Sequence, residues 1–243
     1  MDRRVVLVAG GARGIGAAAA RALADEWRVV IGTRRSLDAA EALASEIADG
    51  GGEAHVLQAD VARPDEAEAL VARAAERCGR LDALVCAAGD FVRAPLLEQP
   101  RDAWRAVFNN NLHSVHSLAR AAVPHMRRGG WGRIITFGVA NGRAARAQTH
   151  VTAYYIAKVG VQILTRSLAE ALGPDGITVN CISPGFIDTG VDHGPALRRV
   201  QRDIPLGRVG EVGDVVGALR FLLSDEASYV SGADLQVSGA WGV

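Results

Sequence analysis

Lysine is all but absent from these 243 residues: Lys and Arg together number 27, and Lys158 is the only lysine among them. So strong a bias leaves arginine wherever either cation would serve. The lysine that remains marks a place that needs a compact, titratable point charge, which a guanidinium does not provide. Net charge is also absent, since 27 acidic residues balance the 27 basic ones. Neither nucleic acid nor an anionic membrane surface is therefore implied as a partner. No apolar run approaches the length of a membrane span, and the N-terminus lacks a signal-peptide pattern. Linkers rich in Ser, Pro or Gly, low-complexity tracts and repeats are missing too, so residues 1–243 read as a single α/β domain of ordinary size. Cysteine is scarce. Cys78, Cys86 and Cys181 are scattered, two of them in or beside apolar strands. They read as buried free thiols of a reducing cytoplasm, not as disulfides or metal ligands. The six histidines show no metal-ligand spacing, and no metal site is expected.

What is present begins with Val5-Val6-Leu7-Val8-Ala9, a continuous apolar run as expected of a strand buried on both faces. It leads into Gly10-Gly11-Ala12-Arg13-Gly14-Ile15-Gly16 and then an Ala-rich helical stretch. Strand, glycine turn and helix form the context of a pyrophosphate cradle, where backbone approaches the phosphates at a helix N-terminus. The second strand ends in Gly32-Thr33-Arg34-Arg35-Ser36. An acid at this point binds the ribose 2′-hydroxyl of NAD. Here there is none; Arg34 and Arg35, with Arg13 in the turn, offer forked cationic donors to a 2′-phosphate. The expected cofactor is NADP(H).

Tyr154-Tyr155-Ile156-Ala157-Lys158 places the sole lysine four residues after a tyrosine. On a helix these share a face. An ammonium beside a phenol favours the phenolate, so the expectation is a Tyr154 with lowered pKa that acts as general acid/base. Strands are expected at 4–9, 28–32, 54–58, 82–86, 132–137, 177–182 and 233–237, and helices at 14–26, 36–48, 64–77, 102–127, 152–172 and 212–223. This alternation predicts a doubly wound, parallel, seven-stranded sheet with ligands at the carboxyl ends of its strands.

Together these residues resemble the short-chain dehydrogenase/reductase family over nearly the whole chain, most closely its 3-oxoacyl-(acyl carrier protein) reductase branch. The resemblance implies a Rossmann-type fold and cofactor contacts from Gly10, Gly14 and Gly16, with Ala9 in place of the usual leading Thr. It assigns adenine contact to Asp60-Val61. Cys86-Ala87-Ala88-Gly89 stands where the family has Asn-Asn-Ala-Gly. Pro184-Gly185-Phe186-Ile187-Asp188-Thr189 is assigned to the nicotinamide end. Tyr154 and Lys158 match the catalytic pair, with Lys158 also binding the nicotinamide ribose. Asn111 matches the residue that kinks a long helix and holds a proton-relay water. The family's catalytic Ser falls at Val139, in a loop about two residues longer than usual. A valine cannot donate to a carbonyl, and loss of one such donor typically costs on the order of a hundred- to a thousandfold in rate. Asn141, Thr149, His150 and Thr152 are candidates to replace it.

Three functions follow as alternatives. One is NADPH-dependent reduction of a small ketone or 3-oxoacyl-like carbonyl with Tyr154 as proton donor. Another is reduction of a C=N bond in a pterin or cyclic imine, which resembles relatives that keep Tyr and Lys without the Ser. The third is a non-catalytic NADPH-binding sensor or scaffold. The segment 188–204 is expected to close over a small-molecule substrate, with Phe91, Arg93, His150, Phe186, Val191 and His193 lining the pocket. Trp241 is expected to reach a neighbouring subunit in a homotetramer or homodimer packed through helices 102–127 and 152–172. Asp175 argues against acyl carrier protein as a partner, with Arg127 and Arg128 left as possible anchors.

Overall fold

The computed structural model describes residues 3–190 and 200–242. Its strands are β1 (Val5–Ala9), β2 (Arg28–Thr33), β3 (Glu53–Gln58), β4 (Ala83–Cys86), β5 (Gly132–Phe137), β6 (Ile177–Pro184), β7 (Ile187–Asp188), β8 (Gly210–Glu211) and β9 (Asp234–Val237). Seven of them form one parallel sheet in the order β3-β2-β1-β4-β5-β6-β9, while β7 and β8 pair separately. The helices are α1 (Gly14–Leu23), α2 (Leu37–Asp49), α3 (Pro64–Cys78), α4 (Arg101–Phe108), α5 (Ser114–Gly129), α6 (Thr152–Leu172) and α7 (Val212–Leu223). The expected strand-helix alternation is what forms, as one Rossmann-type domain.

Burial explains why β1 is apolar throughout. Val5, Leu7 and Ala9 face a core shared with α3, α5 and α6, while Val6 and Val8 face one shared with α1, α2 and α7. A strand covered on both faces has no polar side to show. Local signals set the helix ends. Pro64 opens α3 with Asp65 and Glu66 in its first turn, and Gly79 closes it at φ 74°, a conformation that favours glycine.

The expected helix 102–127 is a correction: it is two helices joined by a π turn, Asn109–His113. Three successive asparagines supply this turn. Such single-turn π segments put an extra residue into the helical ladder and re-aim a side chain. The helix expected over 14–26 ends three residues early, at Leu23, where the chain bends so that Trp27 N–H still bonds Leu23 O at 2.9 Å.

The sheet order reverses between β1 and β4, and this is where a doubly wound sheet opens a crevice. Ala9 is in register with Gly32 of β2 and Cys86 of β4. The three strands therefore end level, and the residues after them meet at one edge.

Candidate active site

Gly10 follows β1 at φ 84° and Gly14 opens α1 at φ 53°. The N–H groups of Gly10 and Gly11 bond Gly32 O at 2.9 and 3.1 Å, which pulls the turn against β2. A methyl group on Gly10 would lie 2.5 Å from Ala88 N, and one on Gly16 would run into Gly10 O. The turn thus depends on bare backbone at both positions. No acid occupies the first turn of α1, so its free N–H groups and helix dipole remain available to an anion.

Beside this turn lies a cleft of about 260 Å³. Of the sequence-predicted residues, Gly10, Arg13, Thr33, Arg34, Asp60, Val61, Ala88 and Gly89 line it. Ile15 and Ala87 instead pack against the core under α1. Arg35, Ser36, Asp90 and Asn110 also line the cleft. Asp90 and Asn110 escaped sequence reading because nothing local marks them. Arg13 Nε donates to Ser36 Oγ at 2.8 Å.

A second cluster meets the first at Gly89. A methyl group there would come within 2.5 Å of Asn111 Oδ1 and 3.5 Å of Lys158 Nζ. Asn111 is held in the π turn by its Nδ2, which donates to Asp90 O and Val107 O at 3.0 Å each, while its Oδ1 is buried without a partner. Lys158 is buried and donates to Phe137 O at 3.0 Å. Its Nζ lies 5.7 Å from the centre of the Tyr154 ring. Burial pulls the Lys158 ammonium down to about 8, an effect that Cys181 and Cys86 partly oppose. Burial also pushes the Tyr154 phenol up to about 12. This corrects the expected lowering: desolvation of the phenol is the cause that moves it. Cys86, free like the other two cysteines, is likewise pushed up to about 12 by burial. It stays a thiol, not a nucleophile.

Val139, at the expected serine position, is half-buried. Three of the four proposed substitutes, Thr149, His150 and Thr152, have side chains engaged elsewhere. Thr152 spends its hydroxyl on Gln148 O. Thr149 Oγ1 and His150 Nδ1 pair with each other at 3.1 Å on an exposed loop. Asn141 sits at φ 61° with its Cβ against Gly242; its backbone carbonyl accepts from Tyr155 Oη at 2.9 Å, while its side-chain Oδ1 is buried without a partner.

Sequence reading missed Gln162. It stands four residues after Lys158, so Tyr154, Lys158 and Gln162 form one stripe on α6, a spacing that could have flagged it. Its Nε2 lies 2.9 Å from Val139 O, 2.9 Å from Ser183 Oγ and 3.2 Å from Asp234 Oδ2. Ser183 Oγ donates to Asp234 Oδ1 at 2.5 Å. The stripe therefore clamps the end of β5 at two carbonyls, those of Phe137 and Val139.

Of the nicotinamide-end residues, Thr189 faces the Gly14 turn, 3.5 Å from a methyl position there. Gly185 N–H bonds Val237 O at 2.9 Å, which fixes Pro184 and Gly185 beside β9. Ile187 pairs with Gly210 in the short ribbon. Phe186 packs edge-on against Trp241, with centroids 4.7 Å apart. Trp241 thus has Phe186 of its own chain as a neighbour. Phe91 packs edge-on against Tyr154 at 5.0 Å. Val191, His193 and most of the expected lid lie outside the described residues.

Residues 10–241 match the family described as Enoyl-(Acyl carrier protein) reductase. The chain is 37% identical over 244 residues to 3-oxoacyl-[acyl-carrier-protein] reductase FabG of Pseudomonas aeruginosa, covering 98% of this chain and 97% of that one. It is 40% identical over 243 residues to cis-4-hydroxycyclohexanecarboxylate dehydrogenase of Sinomonas cyclohexanicum, covering 98% and 96%. Among solved structures it resembles a blue fluorescent protein from a metagenomic library in complex with NADPH, at 34% identity and TM-score 0.90 over 99% of this chain and 98% of that one. The glycine cradle, the Tyr154–Lys158 stripe and these likenesses over almost the full length lead to one conclusion: the chain belongs to the short-chain dehydrogenase/reductase family of oxidoreductases, close to the 3-oxoacyl-(acyl carrier protein) reductases.

Proposed function

We propose that this protein is an NADP(H)-dependent reductase of a small ketone or 3-oxoacyl-like carbonyl, with Tyr154 as proton donor. The observation that carries the reading is the meeting of Asn111 Oδ1 and Lys158 Nζ at Gly89, one helical turn from Tyr154. The residues present fit a dinucleotide. Gly10 and Gly16 leave no room for side chains, the first turn of α1 is free of acids, and Asn111 Oδ1 is buried without a partner. Gly10, Gly14, Ile15 and Gly16 would hold the pyrophosphate through backbone N–H groups. Arg13, Thr33 and Arg34 would receive a 2′-phosphate, and Asp60 and Val61 the adenine. Ala87, Ala88, Gly89, Pro184, Gly185, Ile187 and Thr189 would border the ribose and nicotinamide.

NADPH, when bound, supplies the hydride. Tyr154, kept neutral by burial, gives its phenolic proton to the oxygen that gains charge. Lys158 stabilises the phenolate that remains and binds the nicotinamide ribose. Asn111 Oδ1 accepts a water that returns the proton. The aromatic pairs Phe91–Tyr154 and Phe186–Trp241 suit an apolar or ring-bearing substrate. Acyl carrier protein is not among the proposed partners, because Arg127 is already paired with Asp175 at 2.8 Å and Arg128 with His125. The three buried free thiols accord with a cytoplasmic protein.

The absence of a hydroxyl at Val139 favours a second reading, reduction of a C=N bond. A protonated imine needs no polarising donor. The test is NADPH and NADH oxidation against a 3-oxoacyl thioester, activated ketones, a quinone, a dihydropterin and a cyclic imine, with Tyr154→Phe as control. Ketone turnover lost in the variant supports the first reading; turnover of imine or pterin alone supports the second. Tight NADPH binding without any turnover would favour a sensor or scaffold.

A further inference from the structure

Arg34 projects from the end of β2 onto the wall of the cleft, where a 2′-phosphate would meet it. The structure gives its guanidinium other partners. Nη2 lies 3.3 Å from Asp90 Oδ2, and Nη1 lies 3.5 Å from Asn110 Oδ1 and 3.6 Å from Asp60 Oδ1. Asp90 is itself fixed there, because Asn110 Nδ2 donates to the same Oδ2 at 2.9 Å. Asp60, Asp90 and Asn110 all line the cleft. Arg34 and Asp90 are far apart in the chain; they meet because β2 and β4 end level on either side of β1. Arg13, by contrast, turns to Ser36 on the β2 side.

We infer that Asp90 is a specificity-determining residue of the cofactor site, whose carboxylate competes with a dinucleotide 2′-phosphate for Arg34 and so narrows the preference for NADPH over NADH. A carboxylate and a phosphate are alternative partners for the same guanidinium fork. Taking the phosphate means giving up Asp90 and moving a second anion close to it. NADH carries no 2′-phosphate and is indifferent to that exchange. Asp90 acts through Arg34, as a positioning residue. Its side chain is 50% exposed, so the effect is that of an exposed ion pair, roughly three- to fivefold in affinity. The inference rests on the NADP(H) reading of the site.

The test is titration of the full chain with NADPH and with NADH, followed by intrinsic fluorescence or calorimetry. The proteins compared are the unsubstituted chain, Asp90→Asn, Asp90→Glu, Arg34→Ala and the double variant Arg34→Ala/Asp90→Asn. Asp90→Asn is expected to tighten NADPH three- to fivefold and leave NADH unchanged, while Asp90→Glu keeps the original ratio. In the Arg34→Ala background the Asp90→Asn gain should vanish, as a double-mutant cycle requires of coupled residues. An equal gain for both dinucleotides, an unmoved ratio, or a gain that persists without Arg34 overturns this inference and leaves the NADP(H) reading standing. Failure of the unsubstituted chain to bind either dinucleotide overturns both.

Discussion

Lys158 is a buried cation, and among the described residues no carboxylate pairs with it. Its folded-state pKa, about 8 against an ordinary 10.5, means that folding works against its charge. That cost is fully present below pH 8 and eases as pH rises from about 8 to 10.5, where the unfolded chain still holds the proton. Tyr154 has the opposite sign. Raised from 10 to about 12, it favours the folded state below pH 10 and loses that contribution between pH 10 and 12. Lys158→Met should therefore abolish turnover yet stabilise the protein at pH 7 by about 1–2 kcal/mol. That corresponds to a rise in Tm of roughly 2–8 °C, read by thermal denaturation, and the gain should shrink towards pH 10. If stability falls instead, the bond to Phe137 O matters more than the buried charge. In the same terms, kcat/KM for reduction should decline above about pH 8, since it reports groups of the free enzyme. Val139→Ser offers a further check on the chemistry. For a ketone it should raise kcat/KM about tenfold or more, short of the 10²–10³ of a dedicated donor; for an imine it should do nothing. The proximity of Tyr154 and Lys158 was legible from their spacing on one helix. The direction of the Tyr154 shift was not, because it depends on what covers the phenol, and that is settled by elements far away in the chain.

The seven sheet strands were legible as elements, since each is an apolar or β-branched run between turn residues, and their observed ends lie within two residues of expectation. The π turn was visible only as a resemblance at Asn111. Its basis is three-dimensional: Asn111 Nδ2 holds Asp90 O and Val107 O, one from the loop after β4 and one from its own helix. Asn111→Leu should leave both carbonyls without that donor and cost about 1–3 kcal/mol, seen as a lower denaturation midpoint, and should also remove the unpartnered Oδ1. The α6 stripe was half legible. Gln162 continues it, yet its partners Ser183 and Asp234 come from β6 and β9, and no local pattern links them. The clamp on Val139 O implies that Gln162→Leu raises KM more than it lowers kcat, because the pocket wall loosens while Tyr154 and Lys158 stay in place. An unchanged KM would show that the β5 end holds its shape without the amide. The ribbon of β7 and β8 was not foreseen; at two residues per strand it has no periodicity to read.

The doubly wound architecture follows from strand-helix alternation, and among the described residues it gathers the cleft-lining ones at the carboxyl edge of the sheet. The surface left over is where assembly would occur. Ile156 and Ile163 are 45% and 54% exposed, and two turns apart on α6 they lie on one face, opposite the stripe that buries Lys158 and Gln162. Phe221, Tyr229 and Leu235, on and after α7, are exposed as well. An assembly with two kinds of interface, such as a tetramer built as a dimer of dimers, would use two such contacts. Sequence reading placed the first interface on the long helices but had no means of telling which of their residues face outward, since α6 is apolar on both sides. If α6 pairs with its copy, an acid on each chain would put like charges into an apolar contact. Ile156→Glu/Ile163→Glu should then halve the molar mass measured by light scattering after size exclusion, with the second interface intact. Dinucleotide affinity should not move, because the cleft is built from the ends of β1, β2, β3 and β4 and the π turn and owes nothing to that face of α6. An unaltered mass would place the contact elsewhere, and Tyr229→Glu would be the variant expected to split the assembly.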